Sequence, residues 1–174
     1  MSSIRNTILE TERLILRQFD LDDVEFTVQL LNSPGWLTFI GDRGVKTLED
    51  AKTYLQEGPM ASFKEHGFGL AMVALRENGE GIGMCGLIKR AGLSDVDIGY
   101  ALLPEYMGKG YAYEISSATM HYAKEKLELR RLVAITDPKN VASIKLIEKL
   151  GMKYEQEVQL HPEDIAVHLF GKEL

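Results

Sequence analysis

Short apolar runs broken by glycine, proline and Asx residues dominate this chain, and their period changes twice. Arg13-Leu14-Ile15-Leu16-Arg17 reads as a first strand. Asp20 or Asp22 can cap a helix running to about Leu31, with Val24, Val28 and Leu31 on one face. Asn32-Ser33-Pro34-Gly35 breaks it. Thr47-Leu48-Glu49-Asp50 opens a second helix with a capping-box-like start, and its pattern lasts to about Lys64.

After His66-Gly67 the period drops to two. Gly69–Leu75 and Ile82–Lys89 read as strands joined by an Asn78-Gly79 hairpin turn, and Val96–Leu103 as a third. Ala112–Lys126 is helical, with Ile115, Ala118, Thr119 and Tyr122 inward. Arg131–Thr136 is a strand ended by Asp137-Pro138. Asn140 caps a short helix that stops at Gly151, and Met152–Gln159 and Ile165–Phe170 close the chain as strands. There is no repeat, low-complexity tract or linker. The order predicts one mixed α/β domain over residues 1–174, built on a single sheet.

Composition narrows the function. Hydrophobic content of 45% and charged content of 26% are ordinary for a globular chain. No apolar run approaches the roughly 20 residues of a membrane span. Met1-Ser2-Ser3-Ile4-Arg5 offers no apolar signal core, and one cysteine, Cys85, excludes an internal disulfide. A cytoplasmic location is expected. The net charge of −6 argues against a nucleic-acid partner. It also means that an anionic ligand must be captured by local features. His66, His121, His161 and His168 lack metal-ligand spacing, so no metal is expected.

Two glycine motifs need separating. Gly81-Ile82-Gly83-Met84-Cys85-Gly86 matches the dinucleotide fingerprint in letters only. It follows a hairpin turn and enters a strand with no helix behind it, which suits close approach of a neighbouring backbone instead. Gly108-Lys109-Gly110 sits between a strand, a proline and a helix start. That context suits an anion cradle of free backbone N–H groups, although a plain strand-to-helix turn would use glycine too.

Met107-Gly108-Lys109-Gly110-Tyr111-Ala112 resembles the core motif of the general-control-related N-acetyltransferases, the GNAT superfamily, usually Gln/Arg-x-x-Gly-x-Gly/Ala. Met107 departs from it, at a side chain that mainly fills space. Glu10-Thr11-Glu12-Arg13-Leu14-Ile15-Leu16-Arg17, Ile98-Gly99-Tyr100 and Asn140-Val141-Ala142-Ser143 resemble the branch of ribosomal-protein alanine N-acetyltransferases, the Rim type. The resemblance implies the GNAT fold: a mostly antiparallel sheet of about seven strands with about four helices, strands four and five splayed. It implies acetyl-CoA as co-substrate. The diphosphate would rest on Met107, Gly108, Lys109, Gly110, Tyr111 and Ala112, and the pantetheine arm along Ala101, Leu102 and Leu103. Asn140 would contact the pantetheine or adenosine side, or serve as a plain helix cap. Glu114, in the first helical turn, has the wrong sign for an anion site and is expected to point outward.

Amide formation from a thioester needs a deprotonated amine, donors for the oxyanion and a proton for the leaving thiolate. A backbone N–H near Leu102 is the oxyanion candidate. Relatives often carry an acid where Asp97 stands, which makes Asp97 the candidate base, directly or through water; a solvated strand charge is the alternative. Many relatives use a last-helix tyrosine as acid, but that position is Ile147 here; the branch's Asn-x-x-Ser serine is Ser143, which could equally be a first-turn serine without chemistry. Tyr106 and Tyr154 are weaker candidates. Cys85 reads as a buried strand residue.

An α-amine, with a pKa near ~8 against ~10.4 for lysine, is roughly 3 kcal/mol easier to supply neutral at pH 7. The acceptor is therefore expected to be a primary amine, such as a protein N-terminus. A small-molecule acceptor (a polyamine, amino sugar or antibiotic) is one alternative, and a non-catalytic acyl-CoA-binding module is another. Trp36, Phe39, Ile40 and Arg43 cluster where the fold would overhang the acetyl end, as acceptor contacts or as ordinary packing. The protein is expected to act as a monomer or homodimer.

Overall fold

The computed structural model describes residues 6–174; the start Met1-Ser2-Ser3-Ile4-Arg5, read above as lacking a signal core, lies outside the described residues. The chain begins with a hairpin, β1 (Thr7–Glu10) and β2 (Leu14–Arg17). Four helices follow: α1 (Val24–Leu31), α2 (Pro34–Phe39), α3 (Leu48–Leu55) and α4 (Ala61–His66). Next come β3 (Leu70–Leu75), β4 (Gly81–Ile88), β5 (Asp97–Leu102), α5 (Tyr111–Glu125), β6 (Arg131–Thr136), α6 (Val141–Lys149), β7 (Lys153–Val158) and β8 (Val167–Glu173).

All the strands join one sheet in the order β1-β2-β3-β4-β5-β6-β8-β7. Every neighbouring pair is antiparallel except β5–β6. The expected seven strands are eight, and Arg13–Arg17 falls in the second. The added strand, β1, has four half-buried or exposed residues at the sheet edge, too short a pattern to show a period. The sequence pattern also overlooked α2, in which Pro34 stands in the first turn and lacks the N–H that a first turn leaves unpaired. The expected helix from Thr47 to Lys64 follows one path with a π-type turn at Gln56–Met60, around Gly58-Pro59.

The caps are where the sequence placed them. Asp50 N–H donates to Thr47 Oγ1 at 3.1 Å, and Thr47 N–H to Asp50 Oδ2 at 2.9 Å. Asn140 Oδ1 accepts from Ser143 N–H at 3.2 Å. Gly79, at φ 76°, makes the hairpin turn.

Both sheet faces are covered. Phe19, Leu30, Leu31, Trp36 and Leu55 pack on Met72 and Met84 on one face. α5 and α6 cover the other, with Ile115 beside Cys85 and Leu102, and Met120, Ala123 and Ile147 beside Leu87 and Ile98. Gly83 and Gly86 allow β4 to sit between its neighbours: a Cβ at Gly83 would collide with the Ala101 carbonyl, and one at Gly86 with the Gly69 carbonyl. This is the close-approach role expected for that segment. Among the described residues, no helix is long and apolar enough to cross a membrane.

Candidate active site

The site begins where β5 parts from β6. β5 pairs with β4 along its whole length, from Asp97 to Leu102. On its other side a single parallel pair, Asp97↔Val133, joins it to β6. These are the splayed strands expected as fourth and fifth. Leu103 N–H donates to Ile82 O on the β4 side at 2.9 Å, while Val96 O accepts from Val133 N–H on the β6 side at 3.0 Å. Backbone alternation therefore turns the N–H groups of Ile98, Tyr100 and Leu102 toward the opening. This corrects one expectation: Leu103, buried and bonded to Ile82, has no N–H to offer a ligand. The Tyr100 N–H faces the opening instead.

The open edge leads into the turn before α5. Gly108 (φ 73°) and Gly110 (φ 83°) both adopt left-handed backbone, which glycine tolerates and other residues resist. Gly110 is the N-cap and makes no side-chain cap bond, so first-turn N–H groups are left for a ligand or water. A Cβ at Gly108 would meet nothing within 4 Å, so the approach is clear. Met107 is 49% exposed, and its Cε lies 3.4 Å from where a Gly35 Cβ would stand, placing the start of α2 beside the turn. An open hollow of about 720 Å³, lined in part by Arg13, Gly110, Tyr113 and Ser117, adjoins the turn. The geometry fits an anionic ligand with an extended amide-bearing arm: N–H donors at the helix end, then a strand edge to pair with.

Alternation also sorts the polar groups. Asp97, Gly99 and Ala101 face the α1–α4 side, where Ala101 lies opposite Met84. Tyr100 faces α5, opposite Cys85. Asp97 is 1% exposed. Oδ2 accepts from Arg90 Nη2 at 3.2 Å and Nε at 3.3 Å, and Oδ1 has no partner among the described residues. Burial raises its pKa above the usual carboxylate range although Arg90 pulls the other way. Asp97 is thus buried rather than solvated.

On the other face the Ser143 hydroxyl comes close to the Tyr100 hydroxyl; burial raises the Tyr100 pKa and the nearby Ser143 opposes the rise. Sequence reasoning did not single out the Tyr100 hydroxyl. Its motif was visible, but the contact joins β5 to α6 across 43 residues of chain. Asn140 holds Ser143 by the cap already described. Ile147 is core. Tyr106 donates to Glu80 Oε1 at 2.7 Å, which pushes its pKa up to about 12, and Tyr154 packs edge-on against His168 and Phe170; neither joins the cluster. Cys85 is buried, with Sγ 3.6 Å from Thr119 Oγ1, and desolvation raises its pKa to about 11.

Of the proposed acceptor contacts, Trp36 is 5% exposed and packs in the helical core, with an indole N–H that has no partner among the described residues. Phe39, Ile40 and Arg43 are exposed. Arg43 and Arg90 both act electrostatically on the Tyr54 hydroxyl, whose pKa burial raises and the two arginines lower. Glu114 does not point freely outward: it is bonded to Thr11 and Arg13 of the β1–β2 hairpin.

Comparison with known proteins agrees with this geometry. The family model for the acetyltransferase (GNAT) domain matches residues 13–153. The uncharacterized N-acetyltransferase YoaA of Bacillus subtilis (strain 168) is 30% identical over 149 residues, 85% of this chain and 84% of its own length. The crystal structure of an acetyltransferase from Agrobacterium tumefaciens str. C58 superposes with a TM-score of 0.79 at 27% identity, over 99% of this chain and 98% of that one. RimL, a ribosomal L7/L12 alpha-N-protein acetyltransferase solved with coenzyme A, shares the fold with a TM-score of 0.79 at 21% identity, over 97% and 98% of the two chains.

Proposed function

From the premise that the chain belongs to the GNAT acetyltransferase family, we propose that it forms one domain over residues 1–174 and acetylates a primary amine, with acetyl-CoA as donor. The observation that carries this reading is the continuity of the unpaired β5 edge with the uncapped N-terminus of α5. First-turn N–H groups from Gly108 to Ala112 take the diphosphate, with Lys109 adding charge. The Tyr100 and Leu102 backbone takes the pantetheine amides as an added strand, beside Ala101. Asn140 orders Ser143.

The amine nitrogen attacks the acetyl carbonyl carbon as a proton passes to Asp97 Oδ1, directly or through water. Leu102 N–H stabilises the oxyanion. The C–S bond then breaks, and the thiolate takes a proton from Ser143, which lies beside Tyr100. Solvent reprotonates Ser143 as Asp97 releases the amine's proton to solvent. Base and acid act from opposite faces of the sheet, with the thioester passing through the opening between them. The raised Asp97 pKa brings its basicity closer to what amine deprotonation needs.

The acceptor enters over Gly99 and Asp97, with the exposed Phe39 and Arg43 as its further contacts. Arg43 and Arg90 place positive charge there, which disfavours a polycation such as a polyamine. An α-amine with a negative group nearby, as at an acidic peptide N-terminus, suits that balance better. The test is coenzyme A release with a panel of free-N-terminus peptides, amino acids, polyamines and amino sugars. Turnover on N-terminal peptides supports the reading. Turnover only on polyamines or amino sugars replaces the acceptor assignment, and tight coenzyme binding with no turnover on any amine indicates a binding module.

A further inference from the structure

The proposed coenzyme site carries an internal conflict of charge. Glu114 stands in the first turn of α5. A carboxylate there favours the free helix but opposes a diphosphate at the same N-terminus.

The β1–β2 hairpin answers that charge. Glu114 Oε1 accepts from Thr11 Oγ1 at 2.6 Å and from Arg13 N–H at 2.9 Å, and Oε2 accepts from Arg13 Nε at 2.7 Å. The same guanidinium donates through Nη1 to the Lys109 carbonyl at 3.0 Å and lies over the Tyr111 ring, 4.3 Å from its centroid. Arg13 Nη2 would be 3.3 Å from a Cβ at Gly110, and it donates to no acceptor among the described residues. One side chain, brought from about 100 residues away in sequence, thus touches Lys109, Tyr111 and Glu114 and borders Gly110. An isolated surface ion pair contributes little. This one is bidentate across backbone and side chain and is aimed at the turn.

We infer that Arg13 is a positioning residue of the coenzyme site, which cancels the Glu114 charge beside the α5 N-terminus and thereby lets an anionic diphosphate bind there. The inference rests on the coenzyme reading of the site. It adds a residue that the glycine motif does not contain, and it explains how an acidic chain with an acid in the first turn of α5 can hold a polyanion.

Calorimetric titration of coenzyme A, and of pantetheine, which lacks the diphosphate, tests it in the full-length protein. Arg13→Gln is expected to weaken coenzyme A about tenfold at low salt, less at high salt, and to leave pantetheine unchanged. Glu114→Gln should bind as tightly as the wild type or tighter. The double variant Arg13→Gln with Glu114→Gln should recover most of the lost affinity, which a merely structural role for Arg13 would not permit. Arg13→Lys, which keeps the charge, should stay within a few fold of the wild type and covers the case in which the glutamine variant folds poorly. Unchanged coenzyme A affinity in Arg13→Gln, no recovery in the double variant, or an equal loss for pantetheine would overturn the inference alone. No binding by the folded wild type would overturn the coenzyme reading and this inference with it.

Discussion

Asp97 and Tyr100 lie three residues apart on one strand and point to opposite faces of the sheet. The first offers an unpaired buried oxygen on the α1–α4 side. The second meets Ser143 on the α6 side. Between them the β5 edge is free of β6, so a thioester threaded there would be reached from both sides.

Asp97→Asn should lower kcat by about a hundredfold, since an amide cannot accept the proton, while coenzyme A affinity stays within twofold. The wild-type rate should fall as pH drops through the raised Asp97 pKa, because only the carboxylate is a base. The stability sign is separate. A carboxyl with a raised folded pKa binds more protons folded than unfolded, so its burial destabilises increasingly as pH rises from the unfolded pKa to the folded one. Melting temperatures across pH should therefore show Asp97→Asn at least as stable as wild type at neutral pH. Unchanged turnover would remove Asp97 from the chemistry.

Ser143→Ala and Tyr100→Phe should each reduce kcat by roughly tenfold, and the pair by less than the product, because the two hydroxyls lie close together and are proposed to act as a unit. Steady-state kinetics on the two single variants and the double variant checks this. Fully multiplicative losses would mean that the hydroxyls act independently.

Gly110→Asp should abolish the rise in melting temperature that acetyl-CoA gives by binding the folded state. It combines a strained left-handed backbone with a negative charge at the cradle. A normal thermal shift in a folded variant would place the coenzyme elsewhere.

Gly86→Ala should destabilise the fold by about 3 kcal/mol, because its methyl would collide with the Gly69 carbonyl, immediately before β3. Denaturant titration measures it. Near-wild-type stability would show that β3 and β4 can separate more than their pairing suggests.

Much of this fold was legible because local physics and tertiary structure agree. The Thr47–Asp50 box, the Asn78-Gly79 turn and the Gly108–Gly110 turn each announce a backbone geometry through residue type. What escaped was decided at a distance. β1 is stabilised by pairing with β2, and its four residues carry no period of their own. The burial of Asp97 depends on the packing around β5, while the approach of Ser143 to Tyr100 depends on α6 docking. Alternation along β5 did give the faces of Asp97 and Tyr100. The loss of the Leu103 N–H to Ile82 required knowing the register with β4. Arg13 was read as part of a strand, and nothing local pointed it at Glu114.

The central claim is that coenzyme A lies along the β5 edge with its diphosphate on the α5 N-terminus. Amide chemical shifts, followed by NMR during a coenzyme A titration, test it most directly. The account predicts the largest shifts at Tyr100, Leu102 and Gly108 through Ala112, saturating together. Saturable binding that leaves those amides in place and moves another region would contradict it.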